Sequence, residues 1–490
     1  MDPSRIPVVA SVGQAIERSE IVDVVELAGR AADAAFDGAP RLRERIERLS
    51  MIAVSFSPVG KAPASQVAER LGLEDIHREV TTPGGNMPQW LVTRAASDIS
   101  SGRLGATLIV GAEATRSMRA ADPDANFLQA ALRNTDDGPS DENVGPSING
   151  MVSEAEIAAR LFIPGEVYAL LESARAHAAG RSFEEQRRFL GPLMSNFSRV
   201  ASRNPFAWFQ REYKPEEISE VTPDNRLIAE PYVKRMNSFP NVDQASALIV
   251  TSLAAAREAG VEDRCVFVWS GASVGDPPPA TRPDLGESPG MRAAAAAALA
   301  SARVGADDLS LIDFYSCFPI AVQAGASALG IELDDPRGLT VTGGLPFFGG
   351  PGNNYSGHAI ASMVDRLREA GGLGYIGANG GFLSKHSIGI YGTTPPPHDF
   401  AQADTADQQE EITAAALPTA IDASGTARVV AGTVVYDRDG TVASAPIVAT
   451  LEDGRRVAAQ AEPSLLNDLA GSSLVGRNVR VSGSPPLYEV

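Results

Sequence analysis

Short apolar runs alternate with alanine-rich segments of helical periodicity through the first part of the chain. The runs IPVVASV, MIAVSFS (51–57) and LGATLIVGAE have the composition of buried strands. Residues 21–36 repeat their apolar positions with the period of a helix, and 88–102 resemble a helix with proline in its first turn and glycine at its end. This alternation predicts an α/β protein with right-handed βαβ crossovers and mostly parallel sheets.

The same alternation returns in the second part of the chain. ASALIVTS, LSLIDFYSC and LGYIGANGG are strand-like, and the segments between them are helical at 289–303, Phe318–Leu329 and 358–370. We therefore predict two similar α/β halves, residues 1–119 and 245–400. Between them, residues 120–244 are rich in proline, asparagine, phenylalanine and charge, which is typical of an inserted loop domain that carries ligand contacts.

The character of the sequence changes after residue 393. A proline run is followed by acidic, helix-forming residues, and we interpret 401–417 as a linker. Beyond it, alternating β-forming residues are interrupted by Asp-Gly turns. This pattern predicts a small antiparallel β domain over 418–490, similar to a barrel of the oligonucleotide/oligosaccharide-binding type.

Charge limits the partners of the 490-residue chain, whose net charge of -19 comes from 42 basic and 61 acidic residues. An acidic surface repels phosphate backbones and anionic lipid, so nucleic acid and membrane are not expected as partners. A phosphate-bearing ligand would need a local basic patch. The candidates for such a patch are Arg41, Arg43, Arg45, Arg48, Arg203, Arg211, Lys214, Lys234 and Arg235.

The two cysteines, Cys265 and Cys317, form no disulfide framework and no metal-ligand spacing, so we expect no metal. The N-terminal segment MDPSRIPVVASVGQ lacks the basic and apolar regions of a secretory signal. No apolar run approaches the roughly 20 residues of a membrane span. The cytoplasm is the expected location.

Two glycine-dense stretches, residues 342–358 and 377–392, indicate where a ligand binds. Glycine lets the backbone approach a ligand closely or adopt positive φ. Neither stretch contains the GxxxxGK[ST] or post-strand GxGxxG pattern of a phosphate-binding loop.

Four motifs, two of them in these stretches, resemble the thiolase superfamily, in particular the sterol-carrier-protein-type thiolases and the acetyl-CoA acetyltransferases. GGLPFFGGPGNNYSG stands where the family has its GHPxGATG loop, DFYSCF stands at its HDCF motif, KHSIGIYG resembles its HNxGxGG loop, and SGRLGATLIVGAE resembles the strand ending in GGxE. The resemblance covers about residues 5–395. It implies a thiolase-like fold of two βαβαβαββ halves with a loop domain, and an acyl-CoA ligand.

The departures from the family concern its catalytic residues. Counting back from Glu113 by the family's spacing places the nucleophilic cysteine at Gly85, and the GHP histidine falls on Gly350. The HDCF histidine falls on Tyr315, while its cysteine remains as Cys317. Covalent thioester exchange needs a nucleophile with an activating base, so the resemblance implies that ordinary thiolysis and Claisen condensation are lost.

The remaining polar residues of these loops are the candidate catalytic groups. Tyrosine hydroxyls can donate a hydrogen bond or a proton, and histidines titrate near neutral pH. The candidates are Tyr315, Cys317, Tyr355, His358 and His386, with the backbone around Gly85, Asn86, Gly350 and Gly389 as an oxyanion site. Three of these side chains also have a structural interpretation: Cys317 and Tyr315 as core, and His358 as a helix cap.

Three functions remain open at this stage. The first is acyl-CoA binding with non-covalent C–C bond chemistry beside the thioester. The second is a retro-aldol lyase for β-hydroxyacyl-CoA, because some thiolase-like aldolases lack the cysteines and work with a partner that carries a similar small barrel. The third is a catalytically silent CoA-binding scaffold that recruits a partner through the C-terminal domain. No covalently bound cofactor is expected, and both a monomer and a homodimer are possible.

Overall fold

A computed structural model describes residues 1–125, 140–148 and 150–490. The strands in these ranges are β1 Pro7–Ile16, β2 Arg48–Met51, β3 His77–Thr81, β4 Ala106–Ala114, β5 Glu142–Val144, β6 Leu227–Ala229, β7 Tyr232–Val233, β8 Asp243–Ser252, β9 Val266–Gly275, β10 Leu311–Phe314, β11 Leu373–Gly380, β12 Lys385–Gly392, β13 Thr419–Ala420, β14 Gly425–Gly432, β15 Val435–Tyr436, β16 Val442–Ser444, β17 Ile447–Leu451, β18 Arg456–Ala461, β19 Asn478–Ser482 and β20 Leu487–Glu489. The α-helices are α1 Val24–Gly38, α2 Pro63–Leu71, α3 Met87–Ser101, α4 Thr115–Ala121, α5 Glu154–Ala158, α6 Pro164–Ala178, α7 Phe183–Ala201, α8 Pro215–Ser219, α9 Leu253–Ala259, α10 Pro289–Ala302, α11 Pro319–Leu329, α12 Tyr355–Ala370 and α13 Ala406–Ala414.

A ten-stranded sheet runs through the protein in the order β10-β11-β12-β9-β1-β8-β4-β2-β3-β5. It contains the same arrangement twice, because β1-β8-β4-β2 and β9-β12-β11-β10 share their order and their strand directions. The two copies meet where β1 pairs with β9. The mixed α/β fold with two similar halves is thus confirmed.

Helices α3 and α12 occupy equivalent places in the two copies. They contact each other and strands from both copies, while α1 covers β1, β8 and β4, and α10 covers β9 and β12. Helix α3 contains Pro88 in its first turn and ends before Gly102, whose φ of 75° is the left-handed conformation that favours glycine. The N-termini of these two central helices position the residues discussed below.

The expectation of mostly parallel sheets is wrong for the centre of the molecule. Strand β2 is parallel to β3 and β4, β3 to β5, and β10 to β11, but β1, β8, β9 and β12 make antiparallel pairs. The alternation of strands and helices does not reveal that the chain crosses the loop domain before it returns as β8. The strand expected over 51–57 also ends early, at Met51, and the following residues form a loop around the carboxylate of Glu113.

The inserted region contains α6 and α7 followed by the irregular segment 202–214. Helix α7 begins with a capping box in which Ser182 and Glu185 bond each other's backbone N–H groups. Part of the region predicted as a loop domain, 126–139 and residue 149, lies outside the described residues.

The C-terminal domain is a closed five-stranded barrel, β18-β17-β14-β19-β20, in which β20 returns to β18. The closing pair β18–β20 is parallel and the other four pairs are antiparallel, so the predicted antiparallel barrel is confirmed except at its closure. Its interior is apolar, formed by residues such as Val429, Ile447, Val457, Val481 and Tyr488.

The segment predicted as a linker packs against the second half. Gln402 forms a bridge with Gly271 of β9. Gln409 of α13 bonds both backbone groups of Gly275, at 2.7 Å to the nitrogen and 3.1 Å to the oxygen. A proline run and acidic residues indicate an exposed segment, but they do not exclude hydrogen bonds to a strand end. None of the helices in the described part of the chain is long and apolar enough to cross a membrane.

Candidate functional site

Gly85 lies immediately before Asn86, the N-cap of α3, where the resemblance places the family's nucleophile. A Cβ atom built on Gly85 would lie 2.3 Å from the hydroxyl oxygen of Tyr315 and 2.6 Å from the carbonyl oxygen of Asn379. Atoms this close overlap, so Tyr315 occupies the space that a nucleophilic side chain would need. The position can only be glycine while Tyr315 keeps this conformation.

The space beside Gly350, the second departure from the family, is also filled by a side chain, that of Ser238. A Cβ atom on Gly350 would lie 2.1 Å from the hydroxyl oxygen of Ser238. The backbone N–H of Gly350 donates to Phe239 O at 2.9 Å. A side chain from another segment therefore takes each of the two places to which the resemblance assigns a catalytic residue of the family.

The loop before α3 is held by the start of α12. Asn353 accepts from Gly84 N at 2.9 Å and donates to Ser55 Oγ at 2.7 Å, and Ser356 Oγ donates to Gly85 O at 2.5 Å. Asn353 is not among the predicted site residues, because the three loops that it joins are far apart in the chain.

Tyr315 and Tyr355 lie together, with ring centroids 5.3 Å apart in an edge-to-face arrangement. The Tyr355 hydroxyl lies 2.5 Å from Thr342 Oγ1 and 3.3 Å from Asp313 Oδ1. Burial raises the pKa of both tyrosines well above the usual range, and the Asp313 carboxylate adds to the effect on Tyr355. Both tyrosines are therefore neutral hydrogen-bond donors.

Asp313 is a buried carboxylate that sequence analysis missed. Its Oδ2 accepts from Val341 N at 2.8 Å and Thr340 Oγ1 at 2.9 Å, which fixes the segment leading into the glycine-rich loop. Burial raises the pKa of Asp313 to about 6. The signal was the aspartate at the end of an apolar strand, in DFYSCF.

Cys317 is also brought to this cluster, but as a buried thiol. Its Sγ lies 4.0 Å from Asn379 Nδ2, and burial raises its pKa to about 12. A thiol with this pKa is protonated at neutral pH and is a poor nucleophile.

Tyr168 of the loop domain joins the cluster, although its position in a helix with apolar residues was typical of ordinary core. Its hydroxyl donates to Gly381 O at 3.0 Å and accepts from Leu383 N and Asn379 Nδ2, each at 2.9 Å. Its ring stacks on Phe318 with centroids 4.5 Å apart. Tyr168 therefore connects the loop domain to the turn between β11 and β12.

His386 is fully buried at the start of β12, on the side of α10. Its Nε2 lies 2.9 Å from Asp276 Oδ2 and 3.1 Å from Ser288 Oγ. This resembles a Ser-His-Asp triad in composition only, because a triad uses the two ring nitrogens for different partners. Among the described residues, His386 Nδ1 has no hydrogen-bond partner.

His358 lies on α12 and faces β1. Its Nδ1 is 2.8 Å from Gln14 Oε1, and the Phe348 ring lies against it with centroids 5.1 Å apart. The same Phe348 ring contacts Tyr355 at 6.0 Å. Burial lowers the pKa of His358 to about 3, so the imidazole is neutral.

Of the predicted oxyanion residues, Gly389 lies within the sheet and Asn86 lies at the N-terminus of α3. Gly389 pairs with Ile376 and Gly271 in the middle of β12, and Gln89 Nε2 lies 2.3 Å from its Cβ position. A residue between two paired strands is not positioned to offer its amide to a ligand oxygen, so the oxyanion site proposed below omits it. Asn86 donates from Nδ2 to Ser387 Oγ at 3.2 Å.

Two cavities flank the cluster. One of about 460 Å³ adjoins Ser238 and is lined by residues that include Tyr213, Lys234, Arg235, Phe239 and Phe347. The other, of about 370 Å³, adjoins Asn86 and His386. Of the candidate basic residues, Arg43, Arg45, Arg48 and Arg211 form ion pairs elsewhere, whereas Lys234 and Arg235 lie at the first cavity.

Two further buried carboxylates were not predicted as functional. Glu113 accepts from Ser57 Oγ at 2.7 Å and Ser55 N at 2.8 Å, and burial raises its pKa to about 7. Glu172 accepts from Gln186 Nε2 and the Tyr232 hydroxyl, each at 2.6 Å. In the described residues, no group of three or more His, Cys, Asp or Glu side chains could hold a metal ion.

Comparison with known proteins identifies one relative of the whole chain and a second structure of similar fold. A crystal structure of a monomeric SCP2-thiolase-like protein type 1 from Mycobacterium smegmatis is similar over 99% of this chain and 99% of that chain, at 32% identity and a TM-score of 0.85. An Ltp2–ChsH2(DUF35) aldolase covers 79% of this chain and 97% of its own, at 18% identity and a TM-score of 0.60, which shows a shared fold.

The C-terminal part matches a family model by itself. Residues 407–484 match the additional C-terminal domain of thiolase-like protein type 1. No curated protein matches the chain. Because the similarity to the mycobacterial structure includes both the thiolase-like core and the appended barrel, the chain belongs to the SCP2-thiolase-like protein type 1 family.

Proposed function

We propose that the protein binds an acyl-CoA thioester at the N-termini of α3 and α12 without forming a covalent acyl-enzyme. The observation that supports this most directly is the contact between Gly85 and Tyr315, because a hydroxyl fills the place of the nucleophile. Without a nucleophile there, a bound thioester meets hydrogen-bond donors instead. The donors proposed for its oxygen are Tyr315 and the backbone around Gly85 and Asn86. The N–H of Gly350 is not available for this role, because it already donates to Phe239 O.

The cavity beside Ser238 is the proposed entrance for CoA. Lys234 and Arg235 supply positive charge for phosphate groups, and Tyr213, Phe239 and Phe347 supply aromatic surface for an adenine ring. The backbone N–H of Ser238 donates to Cys317 O at 2.9 Å, so the wall of this cavity adjoins the Tyr315–Cys317 segment.

A ligand-binding assay tests the proposal. CoA and acetyl-CoA should raise the melting temperature, because a ligand that binds the native state stabilises it by mass action. Lys234→Glu should raise the ligand concentration needed for the same melting-temperature shift at least tenfold. Arg480→Glu reverses an exposed charge in the barrel and should leave the required concentration unchanged. No shift in the wild-type protein at millimolar CoA esters would refute the proposal.

For chemistry, the pair of Tyr355 and Asp313 favours a lyase that cleaves β-hydroxyacyl-CoA. In such a reaction, a base removes the proton of the β-hydroxyl, and the C–C bond breaks to give a carbonyl product and a thioester enolate. Hydrogen-bond donors stabilise the enolate until the proton is returned to its α-carbon, which gives the acyl-CoA product. Asp313 is ionised above pH 6 and lies 3.3 Å from the Tyr355 hydroxyl, so Tyr355 can pass its proton to Asp313 as it takes the proton of the β-hydroxyl, and the phenol stays neutral. The fold shared with the Ltp2–ChsH2(DUF35) aldolase agrees with this chemistry.

Burial of the same cluster favours binding without turnover. Tyr355 is fully buried, and Tyr315 and Cys317 are each 8% exposed. Turnover of a panel of β-hydroxyacyl-CoA esters decides between the two: a lyase should lose about 10²–10⁴-fold in kcat with Tyr355→Phe while CoA affinity stays nearly constant. A wild-type protein that binds CoA and cleaves none of the panel is a scaffold.

We propose a monomer that carries its barrel domain in the same chain. Strand β3 pairs with β5, a strand of three residues that ends this side of the sheet, so a second copy would find only a short edge there to pair with. The mycobacterial relative is described as monomeric. Protein partnership through the barrel and a cytoplasmic location stay predictions.

A further inference from the structure

The cavity of about 370 Å³ beside His386 has a composition that the proposed thioester site does not explain. It lies between the N-terminus of α3, the ends of β9 and β12, the segment around Met151 and helix α13. Its wall includes Asn86, Trp90, Ser273, Ser384, Lys385 and Gln409.

Lys385 places an ammonium group at this cavity. Its Nζ donates to Pro83 O, and it would lie 2.8 Å from a Cβ atom on Gly84. An ammonium has three donors, so donors remain after this bond. Among the described residues, no carboxylate lies within ion-pair distance of Lys385. Burial lowers its pKa to about 8, and no neighbouring charge contributes to the shift.

The nearest acidic group in the cavity wall is already occupied. Asp276 Oδ1 accepts from Gly290 N at 2.8 Å, and its Oδ2 accepts from Ser288 Oγ and lies 2.9 Å from His386 Nε2. These bonds, with the positive charge of Arg282, hold the pKa of Asp276 below its usual value against the opposing effect of burial. Asp276 therefore makes its contacts elsewhere, and Lys385 has no ion-pair partner among the described residues within this partly enclosed space.

We propose that this cavity is a binding site for a small carboxylate-bearing molecule, with the carboxylate on the Lys385 ammonium. The hydroxyl groups of Ser273 and Ser384 lie in the same wall and can bond further polar groups of the ligand. A carboxylate compensates a half-buried ammonium at lower cost than leaving it unpaired. The site is separate from the proposed CoA cavity, which contains Lys234 and Arg235, although Asn86 lies in its wall and also borders the proposed thioester site.

Trp90 gives this proposal a direct readout, because it lines the cavity, whereas Trp208 and Trp269 do not. Tryptophan fluorescence is titrated with succinate, acetate and neutral succinamide at constant ionic strength. A saturable change with a carboxylate, at a Kd of millimolar or below, is expected, and succinamide should give none. Calorimetry of Trp90→Phe should still detect binding, although the optical signal is lost.

Charge variants assign the interaction to one residue. Lys385→Met should weaken carboxylate binding at least tenfold, Lys385→Arg should retain most of it, and Lys234→Met should leave it unchanged. Affinity should fall as pH rises through about 8, because Lys385 then loses its proton, and not near 10, as for a solvated lysine. Asp276 and His386 also face the cavity, so the same pH midpoint in Asp276→Asn and in His386→Gln would exclude both residues as the source of the pH dependence.

The proposal is overturned if no carboxylate gives a saturable response in the wild-type protein, or if a folded Lys385→Met variant binds as tightly as the wild type. A fluorescence change that depends on ionic strength and that succinamide causes as readily as succinate would also overturn the proposal. Failure of CoA to bind would leave this test unaffected.

Discussion

The hydroxyl oxygen of Tyr315 lies 2.3 Å from the position that a Cβ atom on Gly85 would occupy. The two residues come from opposite halves of the chain, Gly85 from the loop before α3 and Tyr315 from the end of β10. Their contact means that neither can change alone without cost.

We expect Gly85→Ala to destabilise the protein by about 1–3 kcal/mol, because an added methyl group in a filled site forces its neighbours to move. In combination with Tyr315→Leu, part of this loss should be recovered, which gives a coupling energy of about 1 kcal/mol or more. Urea denaturation of the four proteins of this double-mutant cycle measures it.

Gly305→Ala is the matched control, since the Cβ atom added there would meet Asp308 at 3.7 Å. Its effect should be within about 0.5 kcal/mol. Additive effects at Gly85 and Tyr315 would show that the contact is not formed.

Both cysteines should be inert in the folded protein. Burial raises the pKa of Cys265 and of Cys317 to about 12, so the thiolate is scarce at neutral pH. Intact-mass analysis after iodoacetamide at pH 7.5 should show no adduct in native buffer and two adducts in denaturant. Rapid native labelling of Cys317, or its acetylation by acetyl-CoA, would contradict the assignment of this residue as a buried thiol.

His358 should make the protein sensitive to moderate acid. Its folded pKa of about 3 lies below the unfolded value of about 6.5, so the unfolded state binds its proton first as pH falls. The contribution of this group to stability is complete above pH 6.5 and is lost toward pH 3. The loss approaches about 1.4 kcal/mol per pH unit.

The variant His358→Gln removes the titrating ring. The difference in unfolding free energy between wild type and variant should therefore change by about 1 kcal/mol between pH 6 and pH 5. Equal pH slopes for the two proteins would mean that His358 is protonated in the folded state.

The barrel docks on the loop domain beside a buried ion pair. Arg187 Nη1 is 3.0 Å from Glu230 Oε2, with the side chains 11% and 4% exposed. Glu230 O also accepts from Thr433 Oγ1 of the barrel at 2.7 Å. Arg187→Met leaves the carboxylate buried and unpaired, which should cost about 3–5 kcal/mol.

The neighbouring Arg188 is the control for this prediction. It pairs with Glu184 on the surface, with side chains 69% and 61% exposed, so Arg188→Met should change stability by less than about 0.5 kcal/mol. Thermal and urea unfolding of both variants compare the two arginines. Similar losses of stability in Arg187→Met and Arg188→Met would show that water reaches the face between the barrel and the loop domain.

The sequence predicts the elements of the fold better than their directions. Apolar runs and helical periodicity locate β1, α1, α3 and β4, because a buried strand and an amphipathic helix each have their own spacing. The direction of β8 depends on where the loop domain returns the chain, and no local pattern records that. The contact of Gln409 with Gly275 at the end of β9 could not be predicted for the same reason, because the two residues are distant in sequence.

The sequence predicts which loops form the candidate site, but it does not predict the contacts between their side chains. Motif spacing places Gly85, Tyr315, Cys317 and Tyr355 in one region, and the structure brings them together. His358 and His386, selected because they are histidines in glycine-rich loops, belong to other surroundings. Tyr168 was overlooked because an aromatic residue on a helix is typical of core.

The pairing of β1 with β8 has a consequence for synthesis of the protein. Val9 pairs with Val250, so the first strand stays without its neighbour until the whole inserted region has left the ribosome. Such non-local pairing is slow, and an unpaired apolar strand is prone to aggregate while it waits. The barrel, whose partners are close in sequence, can form quickly once its last strand emerges. A chaperone should therefore be needed early in translation and not at its end.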